Sequence, residues 1–233
     1  MQCLSYKEKR YVIIVAAGRG VRLKSDIPKQ FLPINGKPIL MHTIEKIVSA
    51  IEDIKPIVVI SKEYIPYWEH LIKEYNFTIA HNVVQGGKER FFSVQNALET
   101  IEDYDAIVGL HDGVRPFVSR KVIEDCFSIA EEKGNCIPYI TPKETTRLRT
   151  KKGETKTINR DDVFLIQTPQ CFDVKMIKEA YKQEYQENFT DDASVVEKMG
   201  EEIFLTKGNI ENIKITNPID ILYSEILINE FKD

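Results

Sequence analysis

The sequence predicts a doubly wound α/β fold with a mostly parallel sheet and one protruding β-arm. Three observations carry that expectation. Short apolar runs alternate with segments whose apolar residues recur at helical spacing. Residue types suited to ligand chemistry follow directly after the apolar runs. A single polar stretch, residues 141–162, interrupts the alternation.

Residues 11–17 (YVIIVAA) run into Gly18, as a strand buried on both faces does. Residues 38–51 place Ile39, Leu40, Ile44, Ile47, Val48 and Ile51 on one helical stripe. Residues 54–61 (IKPIVVIS) read as a second strand. Residues 62–75 read as a helix that begins properly near Pro66, since proline suits a first turn. A third strand is expected over 77–84. A helix over 89–101 follows, carrying Phe91, Val94, Leu98 and Ile101. Residues 106–110 form a fourth strand leading into His111 and Asp112, and a helix over 121–133 and a strand over 136–140 complete the regular part. Strands alternating with helices imply βαβ units, whose ligands lie at the carboxyl ends of the strands. The stretch 141–162 is rich in Lys, Arg and Thr and holds Gly153. It reads either as a disordered loop or as a hairpin turning at KKGE. No repeat or linker divides the chain, so one domain is expected over 1–233, with 141–162 as its arm.

Composition excludes several classes. The 233 residues carry a net charge of −4, which argues against a general nucleic-acid binder. No apolar run approaches the roughly 20 residues that span a bilayer, and MQCLSYKEKR lacks the apolar core of a signal peptide. A cytoplasmic protein with no membrane partner is the expectation. Cys3, Cys126, Cys136 and Cys171 form no CxxC pair and read as free thiols.

The first strand runs into AAGRGVRL (16–23) and SDIPKQFLPINGKPIL (25–40). Gly18 and Gly20, beside Ala16 and Ala17, would let backbone approach a triphosphate, with Arg22 and Lys29 supplying positive charge. Leu23 occupies the third glycine position of the dinucleotide fingerprint, which disfavours a Rossmann oxidoreductase, and no GK[ST] follows as in a P-loop. On the turn alone, a tight structural turn with solvated basic residues stands beside the phosphate reading.

These blocks resemble the nucleotidyltransferases that activate sugar and polyol phosphates. The resemblance continues through GGKERFFSV (86–94), HDGVRPFV (111–118), INRDDVFLIQTPQCF (158–172), FTDDASVVEKMG (189–200) and NIKITNPID (212–220), in family order over nearly the whole chain. The set is most similar to the 2-C-methyl-D-erythritol 4-phosphate cytidylyltransferase family. It implies attack of an acceptor phosphate oxygen on the α-phosphorus of CTP, with pyrophosphate leaving, in non-mevalonate isoprenoid biosynthesis. Ribitol-5-phosphate cytidylyltransferase is the nearest alternative. It is disfavoured because AAG, ERxxSV and TDDAS all take the methylerythritol-type form here. A non-catalytic nucleotide-binding regulator is the alternative of another class. Retention of Arg22, Lys29, Asp112, Arg160 and Lys214 argues against it.

By the same resemblance, Arg22 and Lys29 stabilise charge at the reacting phosphorus. Ala16, Ala17, Gly18 and Gly20 line the nucleotide site, and Gly86, Gly87 and Ser93 form the cytosine and ribose pocket. The family often has an acidic residue where Lys88 stands. Asp112 meets Mg²⁺ or a similar divalent cation on the triphosphate, or pairs with Arg115. Arg160 and Lys214 hold the acceptor phosphate, with Thr145 beside them. Thr168 is either a nucleotide contact or a turn residue. Asp191 and Asp192 either meet acceptor hydroxyls or start a helix. Arg90 either orients the glycine loop or is structural. Family members extend an arm across a two-fold axis, so a homodimer is expected.

Overall fold

The computed structural model describes residues 9–18 and 27–230. Gly20, Arg22, Leu23 and Cys3 lie outside them. Four parallel strands form the heart of the molecule: β1 (Lys9–Val15), β4 (Lys55–Ile60), β5 (Asn82–Gln85) and β6 (Ala106–Asp112). β2 (Pro33–Ile34) and β3 (Lys37–Pro38) make a small separate hairpin. β1 is central and pairs with both β4 and β6. Its side chains alternate between layers, as period-2 geometry requires. Val12 and Ile14 face α1 (Ile39–Ala50), α2 (Ile65–Glu74) and α4 (Arg120–Lys133). Ile13 faces α3 (Arg90–Glu99), α5 (Val174–Ala180) and α6 (Asp192–Glu197). Both faces of the sheet are therefore covered, which is why its central strands read as unbroken apolar runs.

The mostly parallel sheet is mixed, because two of its strands run against the rest. Beyond β6 comes β11 (Gln170–Asp173), antiparallel to β6 and to β7 (Asn135–Ile140), so the β6–β7 slot is filled by a strand of opposite direction. β10 (Leu165–Ile166) and β12 (Leu205–Lys207) pair with β7, completing eight strands in the order β10-β7-β11-β6-β1-β4-β5 with β12 on β7. An antiparallel strand needs no crossover helix. The return from 141–166 can therefore enter the sheet directly.

The strand expected over 77–84 is confined to Asn82–Gln85. Phe77 is drawn under α2, its ring 6.1 Å from that of Trp68. The Trp68 indole donates to His81 Nε2 at 3.0 Å. Residues 77–81 thus serve an aromatic cluster before pairing begins.

The stretch 141–162 is a hairpin. β8 (Thr146–Arg149) and β9 (Thr155–Ile158) pair in antiparallel register through a turn in which Gly153 takes φ +85°. That conformation suits only a residue without Cβ strain. The C-terminal helix α7 (Pro218–Glu230) closes a third small core of Ile34, Ile39, Val114, Phe117 and Ile215. Among the described residues, no helix is long and apolar enough to cross a membrane.

Candidate active site

A cleft of about 810 Å³ opens at the carboxyl ends of β1, β4, β5 and β6. Backbone hydrogen bonds splice these ends together. Ala16 N donates to Val59 O at 2.8 Å, Gly86 N to Ile60 O at 2.8 Å, and Gly113 N to Val15 O at 2.9 Å. Side chains tie down the carbonyls of the first turn. Gln30 Nε2 donates to Ala16 O at 2.5 Å and Gly18 O at 3.2 Å, and Ser61 Oγ donates to Ala17 O at 2.7 Å. Ala16, Ala17 and Gly18 all line the cleft.

Gly86 and Gly87 form its ledge, and neither tolerates a side chain. A Cβ on Gly86 would lie 2.5 Å from Ala17 Cβ, and one on Gly87 would lie 2.4 Å from Phe92 Cβ. Ser93 is buried beneath the ledge. Its hydroxyl accepts from Gly87 N at 3.0 Å and donates to Glu89 O at 3.0 Å, so it braces the loop.

The lining carries five basic side chains (Lys29, Lys62, Lys88, Arg90 and Lys214) against three acidic ones (Glu63, Glu89 and Asp112). In a chain of net charge −4 this is a local positive field, suited to an anion. Lys29 lies in a 3-10 turn, Lys29–Phe31, and its ammonium donates to Ile215 O at 3.0 Å. Lys214, from the same segment as Ile215, reaches Asp112 Oδ2 at 3.1 Å. Arg115 Nε reaches the same oxygen at 3.0 Å. Burial would raise the Asp112 pKa, but Lys214 and Arg115, with Arg90 adding to them, hold it well below the usual carboxylate range.

Behind Asp112 lies a ring of hydrogen bonds. His111 is fully buried, with Nε2 3.0 Å from Arg115 O and Nδ1 3.0 Å from Thr168 Oγ1. A carbonyl can only accept, so Nε2 carries the proton and Nδ1 accepts from the Thr168 hydroxyl. That hydroxyl in turn accepts from Asp112 N at 3.2 Å. Burial pushes the His111 pKa down to about 4, so the ring is neutral at physiological pH. Arg115 Nη1 donates to Asn212 O at 2.8 Å, and Asn212 Nδ2 donates to Thr168 O at 2.9 Å, closing the circuit.

The whole chain between residues 11 and 230 matches the family model described as IspD, 2-C-methyl-D-erythritol 4-phosphate cytidylyltransferase. The chain belongs to this family. The family's activity, CTP-dependent cytidylylation of 2-C-methyl-D-erythritol 4-phosphate in isoprenoid biosynthesis, is accordingly that of this cytidylyltransferase. The enzyme of that name from Phocaeicola vulgatus is 50% identical over 219 residues, covering 94% of this chain and 99% of its own. That of Clostridium kluyveri is 38% identical, covering 97% and 99%. The crystal structure of 4-diphosphocytidyl-2C-methyl-D-erythritol synthase from Anaerococcus prevotii superposes with TM-score 0.82 at 27% identity, over 98% of this chain and 100% of that one. The Francisella tularensis cytidylyltransferase structure gives 0.77 at 33% identity, over 94% and 99%.

Within this cleft of the cytidylyltransferase the structure brings together Ala16, Ala17, Gly18, Lys29, Gly86, Gly87, Ser93, Asp112 and Lys214. Other residues singled out in the sequence stand elsewhere. Thr168 sits behind Asp112 rather than in the lining. Asp191 caps α6, accepting from Ser194 N at 3.0 Å and from Gln170 Nε2 at 2.8 Å, and does not line the cleft. Thr145 and Arg160 belong to the arm, outside the lining. Arg160 Nη1 donates to Lys143 O at 2.6 Å. Sequence reasoning missed Gln30, Ser61 and Asn212. The available signal was a polar residue set among apolar ones, as in QF after PK and NIKI near the C-terminus.

Proposed function

We propose that the cytidylyl transfer takes place in this cleft, between a nucleotide on the Gly86–Gly87 ledge and an acceptor phosphate near Lys214. The observation that carries this reading is the meeting of Lys29, Asp112 and Lys214 at the strand ends beside a ledge that excludes side chains. Two anions must approach each other, and negative charge grows on the α-phosphoryl group as the acceptor oxygen bonds to phosphorus and the bond to the pyrophosphate oxygen breaks. Catalysis then comes from positioning and fixed positive charge rather than from a nucleophilic side chain. Lys29 neutralises the developing charge, with Arg22 in the same role on the chain's resemblance. Lys214 holds the acceptor phosphate. Its bond to Asp112 keeps the ammonium aimed into the cleft until the substrate competes for it.

The donor set fits a magnesium-type cation. Such ions take one or two carboxylates plus phosphate oxygens, and Asp112 is a carboxylate held ionised at the cleft wall. Asp112 would hold the ion, which when bound supplies charge neutralisation on the triphosphate. Among the described residues no cluster of three metal-ligating side chains exists, so substrate oxygens would complete the shell.

Thr145 and Arg160 complete the acceptor site of a second subunit in this reading, with the β8–β9 arm crossing a dimer axis in a cytoplasmic homodimer. Their place outside their own cleft supports it. Pyrophosphate release from CTP, ATP and GTP with a panel of polyol phosphates tests the pocket. CTP with 2-C-methyl-D-erythritol 4-phosphate should be the preferred pair. Equal use of ATP would overturn the ledge assignment, and full turnover in excess chelator would remove the cation.

A further inference from the structure

Arg90 is the first residue of α3 and follows directly on the ledge loop, 86–89. That helix starts without a side-chain cap of its own, since Glu89 at the N-cap position makes no capping hydrogen bond. Something else must hold the first turn in place. Arg90 sends both terminal nitrogens to one carboxylate: Nη1 to Asp192 Oδ1 at 2.6 Å and Nη2 to Asp192 Oδ2 at 2.5 Å. Asp192 is fully buried and does not line the cleft, whereas Arg90 does. Tyr181 also donates to Asp192 Oδ1, at 2.6 Å, and its ring stacks on Phe91 at 4.6 Å. Asp192 itself is anchored. It is the first residue of α6, which has a complete capping box, and Gln170 Oε1 accepts from the backbone N–H of Asp192 at 3.1 Å and of Ala193 at 2.9 Å.

We infer that Asp192 is a positioning residue for the nucleotide: through its two-pronged bond to Arg90 it fixes the start of α3, and with it the Gly86–Glu89 ledge, from outside the cleft. This rests on the reading that the ledge receives CTP. A forked arginine–carboxylate pair fixes both distance and plane, which one ammonium cannot do. The loop is attached at other points as well. Gly86 N is pinned to Ile60 O, and the Ser93 hydroxyl braces Gly87 and Glu89. Both the hydroxyl and the guanidinium belong to α3, so a shift of its first turn moves the ledge. Lys214, on the acceptor side, makes its carboxylate contact with Asp112 instead. Loss of the strut should therefore weaken CTP binding and spare the acceptor.

The test is steady-state kinetics of the full-length protein with both substrates varied, well below the melting temperature of each variant. Asp192→Asn keeps size and a partner for Tyr181 but loses the charged fork. It should raise KM for CTP about tenfold or more while kcat at saturating CTP and the acceptor KM change less than about twofold. Arg90→Lys should do the same, because it keeps charge and loses the fork. Tyr181→Phe removes a hydrogen bond from the same carboxylate without cutting the strut. It should lower stability and leave KM for CTP unchanged. The inference falls if folded Asp192→Asn or Arg90→Lys binds CTP normally, or if Tyr181→Phe raises KM for CTP as much as they do. Gly87→Ala separates the two readings, since its Cβ must displace the ledge. If Gly87→Ala weakens CTP binding and Asp192→Asn does not, the strut is wrong and the ledge stands. If neither does, the ledge assignment itself is wrong.

Discussion

Lys29 and Lys214 are drawn to one short segment. Lys29 bonds to the carbonyl of Ile215, the residue after Lys214. Removing either ammonium subtracts a charge already oriented before substrate arrives. Lys29→Ala should lower kcat at least about a hundredfold, the scale for one preorganised charge-stabilising group. Single-turnover measurement on the folded variant checks it, and an unchanged kcat would refute the role. His111 carries a different consequence. Its folded pKa is lowered to about 4, so between that value and its ordinary 6.5 the unfolded chain binds a proton that the folded one refuses. Its contribution to stability is complete above pH 6.5 and is lost as pH falls towards 4, by an amount on the order of 3 kcal/mol. Denaturant titrations at stepped pH should show this slope, and His111→Gln should flatten it. Asp112 acts in a lower window. Its pKa is depressed, so its contribution is present above the ordinary carboxylate value near 4 and is lost as pH falls below it.

At the scale of elements, the β8–β9 hairpin protrudes with Leu148 half exposed and its basic side chains in solvent. Deleting 146–155 should give monomers that still bind CTP but bind the acceptor poorly. Sedimentation velocity and the acceptor KM check the two halves, and an unchanged KM would sink the arm's role. The hairpin was legible in the sequence as one of two readings, because Gly153 within KKGE marks a turn while polar composition alone also suits a disordered loop. The helices over 38–51, 89–101 and 121–133 were legible because each buries one apolar stripe. Phe77 and Ile79 misled, since β-type residues beside a tryptophan pack into an aromatic cluster as readily as they pair. The antiparallel entry of β11 could not be read, because strand direction depends on where the chain returns, which local pattern does not encode. Around the site, the glycine ledge and the cations had signatures in residue type and order. The circuit from His111 through Thr168 and Asn212 to Arg115 joins residues about a hundred positions apart. Only the assembled sheet brings them together.

For the molecule as a whole, the proposed dimer makes one functional unit of a cleft and the segment before α7 from one chain and the arm of the other. Lys214 stands in the cleft while Thr145 and Arg160 lie outside its lining. Thr145→Ala and Lys214→Ala proteins should each be weak alone. When mixed and allowed to exchange subunits they should regain part of the activity, because one site in each mixed dimer is intact. No recovery under exchange would place Thr145 and Lys214 in the same site of one chain. The insertion of β11 between β6 and β7 has its own consequence during synthesis. On the ribosome, β6 is complete at Asp112, yet the strand that covers its free edge begins only at Gln170. At translation rates of about 5–20 residues per second, that edge waits roughly 3–12 s with its hydrogen-bonding groups unpaired. An open strand edge is a template for pairing with other chains. Until its own residue 170 emerges, the nascent enzyme carries this open edge of β6, a strand template within reach of other chains and of any chaperone that caps such edges.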